Sequence, residues 1–166
     1  MPEFEPERIL EVLSAHEVDF VLIGGFAAIT HGSPFLTEDI DVTPERGADN
    51  LDRLSAALKA LGARIRTQGV DEGLPFDHDG ESLASAGVWN LTTRYGDLDI
   101  SFVPSGTEGY ADLVRGARTT SIAGVAVHIA SLEDIVRSKQ AADRAKDRRV
   151  LPTLREILAN RDLDKK

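Results

Sequence analysis

Two aspartates separated by one residue, Asp39 and Asp41 in Thr37-Glu38-Asp39-Ile40-Asp41-Val42, have the type and spacing that most directly suggest chemistry. Side chains on a strand alternate between faces, so the two carboxylates point one way while Ile40 and Val42 point into a core. A third carboxylate, Asp99, lies in Leu98-Asp99-Ile100-Ser101-Phe102 with the same alternation. Three acids on one face repel one another, and a bound cation is the usual relief. Hard oxygen donors suit Mg²⁺ or Mn²⁺, held by one or two carboxylates together with the oxygens of a phosphate. A place for that phosphate lies just upstream. Gly24-Gly25 has no side chains to keep an anion from backbone N–H groups at the start of a helix expected over Phe26 to His31.

Other candidate groups read more simply. Asp77-His78-Asp79 lies in a polar stretch beside Gly80, and His31 precedes Gly32 at an expected helix end, a position suited to capping or packing. His16 and His128 have no evident partner, and Ser33 and Ser101 have no Ser/His/Asp context for hydrolysis. The chain has no cysteine, which excludes disulfides, thiolate catalysis and Cys-ligated zinc together.

The elements that must position these groups follow from periodicity. Ile9, Val12, Leu13 and His16 at helical spacing after Pro6 predict an opening amphipathic helix. Phe20-Val21-Leu22-Ile23 reads as a strand buried on both faces, and the Asp39/Asp41 strand closes at Pro44. Leu51, Leu54, Leu58 and Leu61 mark a second long helix ending at Gly62, with a return strand over Ala63 to Arg66. From Thr67 to Ala86 the Gly, Asp, Ser and Pro content predicts a mobile surface loop near the site. Val88 to Thr92 and Leu98 to Phe102 read as strands paired around Arg94-Tyr95-Gly96, and Ser121-Ile122 with Val125 to Ile129 as a terminal hairpin split by Gly124. Ser131 with Asp134 opens a helix expected to run through about Lys146, with Lys139 on its apolar side two turns beyond Leu132. A last helix is expected from near Pro152.

The predicted fold class is therefore mixed α/β, one unit over residues 1–166 with a helical portion over about 131–160. At 166 residues, with 42% apolar content, the chain is long enough for one such core. No apolar run approaches the ~18 residues of a membrane span, and the acidic start Met1-Pro2-Glu3-Phe4-Glu5 lacks the basic beginning of a signal peptide, which points to the cytoplasm and away from membranes. A formal charge of −9 disfavours broad attraction to nucleic acid. The cations that could act locally gather late, at Arg137, Lys139, Arg144, Lys146, Arg148 and Arg149.

With those residues in view, the chain resembles the DNA polymerase β-like nucleotidyltransferases, in particular the bacterial AbiEii-like group associated with toxin–antitoxin systems. The resemblance is carried by Val21-Leu22-Ile23-Gly24-Gly25-Phe26-Ala27, His31-Gly32, Thr37-Glu38-Asp39-Ile40-Asp41, Arg94-Tyr95-Gly96-Asp97-Leu98-Asp99, and the stretch from Ser131-Leu132-Glu133-Asp134-Ile135 through Lys139, Arg144, Lys146 and Asp147. It implies a nucleotidyltransferase-type mixed sheet flanked by helices. It also implies metal-dependent transfer of a nucleoside monophosphate from a nucleoside triphosphate to an acceptor hydroxyl, with release of pyrophosphate. Asp39, Asp41 and Asp99 are the implied catalytic and metal-holding residues, with Mg²⁺ or Mn²⁺ as cofactor; Gly24, Gly25, Thr37, Lys139 and Arg144 are the implied nucleotide-binding set. Implied partners are an RNA or protein acceptor and an antitoxin or DNA-binding protein. The alternatives are an antibiotic-modifying nucleotidyltransferase and an inactive nucleotide- or partner-binding module. One position departs from the pattern: Phe35 stands where related sequences often carry arginine.

Overall fold

In the computed structural model, residues 2–165 are described; Met1 and Lys166, the ends of the expected unit, lie outside the described residues. The fold is mixed α/β, and the eight strands among the described residues lie in one mixed sheet in the order β4-β3-β5-β6-β2-β1-β8-β7. Within it the apolar strand β1 (Phe20–Ile23) runs antiparallel to β2 (Asp39–Pro44) and parallel to β8 (Val125–Ile129). Val21 and Leu22 are fully buried, as a strand covered on both faces requires. β2 in turn pairs in parallel with β6 (Gly96–Ser101), in a register that sets Asp39 against Asp97 and Asp41 against Asp99. On the opposite face Ile40, Val42, Leu98 and Ile100 are fully buried. The alternation expected from sequence thus sorts acids and aliphatics to the two faces of the sheet.

That aliphatic core is shared with α1 (Pro6–Ala15), through Ile9, Leu10 and Leu13, and with α3 (Ala48–Ala60), through Leu51, Leu54 and Leu58. Beyond β6 come β5 (Val88–Thr93), joined to it by the two-residue turn Arg94-Tyr95, and then β3 (Arg64–Thr67). The far hairpin pairs β7 (Arg118–Ile122) with β8 across Ala123 and Gly124, both at positive φ (52° and 81°) as a tight primed turn demands.

Three expectations need correction. The stretch from Thr67 to Ala86 is not a structureless loop: it holds β4 (Val70–Leu74), paired to β3 across Gly69, and the short helix α4 (Gly80–Ala84). β4 is an edge strand with Gly73 at positive φ and little apolar alternation, so backbone pairing holds it where the sequence shows no period. In α4 the Asp79 carboxylate accepts from the Ser82 N–H at 2.7 Å, the Ser82 hydroxyl accepts from the Asp79 N–H at 3.0 Å, and Leu83 supplies a buried anchor. Second, α2 (Gly24–Thr30) begins on the glycine pair itself rather than at Phe26. Third, α6 (Leu132–Ala142) stops before Lys146. Asp143 turns the chain through the left-handed region at φ 50°, and α7 (Ala145–Asp164) runs from there straight through Pro152. The signal for that break is the carboxylate of Asp147, which accepts from the Arg144 N–H at 3.1 Å and caps the new helix. A further helix, α5 (Tyr110–Gly116), lies where the sequence shows no clear period and is anchored by buried Leu113.

Candidate active site

The acidic face of β2 and β6 forms the floor of a cleft of about 680 Å³. Its walls are the start of α2 and helices α6 and α7. Asp39, Asp41 and Asp99 each offer an oxygen to a cluster whose members lie within 4.8 Å of one another. The parallel β2–β6 register produces this convergence, because it sets Asp41 beside Asp99. The Thr37 hydroxyl donates to Asp39 Oδ1 at 2.7 Å, so Thr37 orients a carboxylate from the entrance to β2. Gly24, at φ 72°, brings its backbone so close to Asp41 that a methyl group there would overlap the carboxylate. A Cβ on Gly25 would stand 3.2 Å from Thr37. Gly24 is therefore required by the packing of Asp41, and Gly25 fits closely against Thr37, while both line the cleft.

The electrostatics follow from this crowding. Burial pushes Asp41 up to about 7, and repulsion from Asp39 and then Asp99 adds to it. Asp99 is pushed up to about 6, chiefly by burial, with Arg66 pulling it back. Both shifts mark a cluster short of positive charge.

The opposite wall is basic. Lys139, Arg144, Lys146 and Arg149 all line the cleft. Lys139 Nζ lies 3.7 Å from Asp147, a carboxylate with no solvent exposure that Arg144 also grips at 2.8 Å. Burial draws the Lys139 ammonium below its ordinary range, while Asp147 and Asp41 act against the shift. α7 is fastened over α2 by Arg161, whose guanidinium donates to His31 Nδ1 at 3.0 Å and to the His31 carbonyl at 2.9 Å. His31 Nε2 lies 2.8 Å from the Ala130 carbonyl, which fixes the Nε2–H tautomer and leaves Nδ1 to accept. His31 is thus the packing residue expected. His128 is not without a partner: its Nδ1 is 2.9 Å from the Thr119 hydroxyl. Asp79 caps α4, and His78 bonds the buried Ser55 hydroxyl at 2.7 Å, so the Asp77-His78-Asp79 run is structural.

The structure brings every implied site residue to this cleft or its edge: Gly24, Gly25, Thr37, Asp39, Asp41, Asp99, Lys139 and Arg144. It adds Lys146 and Arg149, which the sequence shows only as part of a basic run. It also adds Arg66 on β3, which reaches Asp99 Oδ1 at 2.6 Å and Asp97 Oδ2 at 3.3 Å. The alternation in Arg64-Ile65-Arg66 was the one available signal for that residue, and it says which face, not which partner. Three carboxylate donors gathered around one point, one of them aimed by a threonine, form a donor set that fits a hard divalent cation.

No family model and no curated protein matches the chain. Solved structures do share its fold. It is similar to the lincosamide antibiotic adenylyltransferase LnuA, solved with lincomycin bound, with a TM-score of 0.62 and 18% identity over 95% of this chain and 99% of that one. It is similar to ANT(2'')-Ia, solved in complex with adenylyl-2''-tobramycin, with a TM-score of 0.55 and 19% identity over 94% of this chain and 88% of that one. The fold is that of nucleotidyltransferases. At these identities the likeness concerns architecture, and the chemistry must be argued from the cleft.

Proposed function

We propose that the protein transfers a nucleoside monophosphate from a nucleoside triphosphate to a hydroxyl group on a small acceptor molecule with an apolar face. One observation carries the transfer: the cleft sets a three-carboxylate floor against a wall of Lys139, Arg144, Lys146 and Arg149. Asp39, Asp41 and Asp99 would hold Mg²⁺ or Mn²⁺, which when bound polarises phosphoryl oxygens and offsets the charge that develops on them. Lys139 and Arg144 offer cations to the triphosphate, and Gly24 and Gly25 leave room beside it. The acceptor oxygen bonds to the α-phosphorus, the bond from that phosphorus to the bridging oxygen breaks, and pyrophosphate leaves. The hydroxyl proton passes to Asp99, the carboxylate that β6 brings to the cleft floor.

The acceptor class rests on the rim. Phe35, Leu36 and Val88 line the cleft and are 39%, 95% and 54% exposed, an apolar margin next to the acids. Apart from the three clustered acids, the only lining carboxylate among the described residues is Asp134, already paired with Arg137 at 2.9 Å. That lining favours a neutral or weakly charged amphipathic acceptor over a polycation. A second reading, end-modification of RNA by a toxin, draws support from Lys146 and Arg149 in the cleft. An antitoxin or DNA-binding partner rests on the resemblance alone, and a cytoplasmic location on the composition and the acidic start of the chain; among the described residues no helix is long and apolar enough to cross a membrane.

The test has two stages. Mg²⁺ with a non-hydrolysable triphosphate should raise the melting temperature more than either alone, and Asp39→Asn or Asp41→Asn should abolish that joint shift. Calorimetry showing unchanged metal and nucleotide affinity in both variants would sink the assignment. Triphosphates labelled at the α-position, incubated with hydroxyl-bearing antibiotics and with total RNA, should then label the small molecule. Label confined to RNA would establish the second reading.

A further inference from the structure

Arg66 belongs to β3, two strands away from the carboxylate it holds. Its guanidinium spans β5 on the way, donating to the Leu91 carbonyl at 3.0 Å, and ends against Asp99 at 2.6 Å and Asp97 at 3.3 Å. The three acids of the cluster are therefore not equivalent. Among the described residues neither Asp39 nor Asp41 has an ion pair, while Asp99 is engaged by a cation short of any bound metal. A divalent ion and a guanidinium on one carboxylate repel each other across a partly buried site, where screening is weak.

We propose that Arg66 holds the place of a metal ion at Asp99 and withdraws when an ion binds there, remaining anchored to Asp97 and the Leu91 carbonyl. The inference rests on the metal-binding reading given above. Those two contacts are independent of Asp99 and leave the guanidinium partners when Asp99 turns away. Asp97 lies outside the carboxylate cluster and is free to keep the arginine while Asp99 turns to the ion. Arg66 is thus a positioning residue that sets how tightly, and in what order, the cluster takes up metal. It keeps Asp99 aligned and charge-compensated until nucleotide and metal arrive together.

Mn²⁺ affinity decides the matter, measured by calorimetry with a non-hydrolysable triphosphate present and folding checked by melting in chelator. Arg66→Met should bind Mn²⁺ about tenfold more tightly than the unaltered protein, the factor that ~1.4 kcal/mol of relieved repulsion gives. Arg66→Lys, which keeps the charge but not the two-pronged grip, should fall between them. Arg64→Met removes the same charge two residues away, from a side chain bonded to the Glu72 and Gly73 carbonyls, and should leave Mn²⁺ affinity unchanged. In the unaltered protein, saturation with Mg²⁺ and the triphosphate analogue should shift the Arg66 guanidinium NMR signals and speed their proton exchange. Equal affinity in Arg66→Met, an equal gain in Arg64→Met, or Arg66 signals unmoved at saturation would overturn the proposal while leaving metal binding intact. No Mn²⁺ binding in any variant would remove both this proposal and the metal-dependent reading beneath it.

Discussion

Asp41 is the most constrained residue of the cleft. It is flanked by Asp39 and Asp99, pressed against Gly24, and held with its carboxyl at about 7. Its linkage to stability is unusual for an aspartate. The unfolded chain releases this proton near pH 4, whereas the folded protein keeps it up to about pH 7, so between those values the folded state binds more protons. The contribution is whole below pH 4 and is lost as pH rises through 7. Asp41→Asn, neutral at every pH, should therefore be more stable than the unaltered protein at pH 8 in chelator, by at least ~1.4 kcal/mol, the worth of one pKa unit. For a chain of this size that corresponds to roughly 3–6 °C in melting temperature. At pH 4 the two should melt together, and added Mg²⁺ with triphosphate should stabilise only the unaltered protein. An asparagine variant less stable at pH 8 would show that the carboxylate is not strained. Gly24→Ala should cost about 1–3 kcal/mol by chemical denaturation, since it combines a positive φ with overlap on Asp41. A stability unchanged within error would mean Asp41 has room to move.

At the level of elements, legibility tracked the strength of the local pattern. β1 was readable as a continuous apolar run, and β2, β5, β6 and the β7–β8 hairpin from alternation and tight turns; period alone put Asp39, Asp41 and Asp99 on the polar faces of their strands, while the pairing of β2 with β6 that joins them was not legible. β4 and α4 were not, since a paired edge strand needs only backbone and a five-residue helix needs only a cap and one leucine. The partner of Arg66 was hidden because it depends on β5 intervening between β3 and β6, a fact of strand order rather than of any local run. The misread helix boundary has a testable side. Pro152, exposed and in the eighth position of α7, cannot donate to the Arg148 carbonyl one turn earlier. Pro152→Ala should restore that bond and raise stability by at least ~1 kcal/mol, read as roughly 2–4 °C by scanning calorimetry. A loss instead would show that a bend at Pro152 seats buried Leu151 and Leu154.

Across the whole molecule, a chain of net charge −9 presents one concave surface whose two sides oppose in sign. Lys139 joins those sides: its side chain is half-buried, faces Asp147 and feels Asp41. Lys139→Met keeps the stem's packing and leaves Arg144 to hold Asp147, so titration with a triphosphate should show affinity falling by about tenfold or more. Lys59→Met, on the exposed end of α3, should bind as the unaltered protein does; equal affinities for the two variants would reject a phosphate role for Lys139. The strand order also says something about the birth of the protein on the ribosome. β1 and β2 leave the exit tunnel early as an antiparallel pair, but β2 must wait for β6 and β1 for β8 before either is flanked. The cationic helices follow every strand of the sheet. At ~5–20 residues per second, a nascent chain spends seconds with its acids assembled and nothing opposite them. On the function proposed above, nucleotide capture would wait until residues past Lys146 have been made, because the cleft has no basic wall before then.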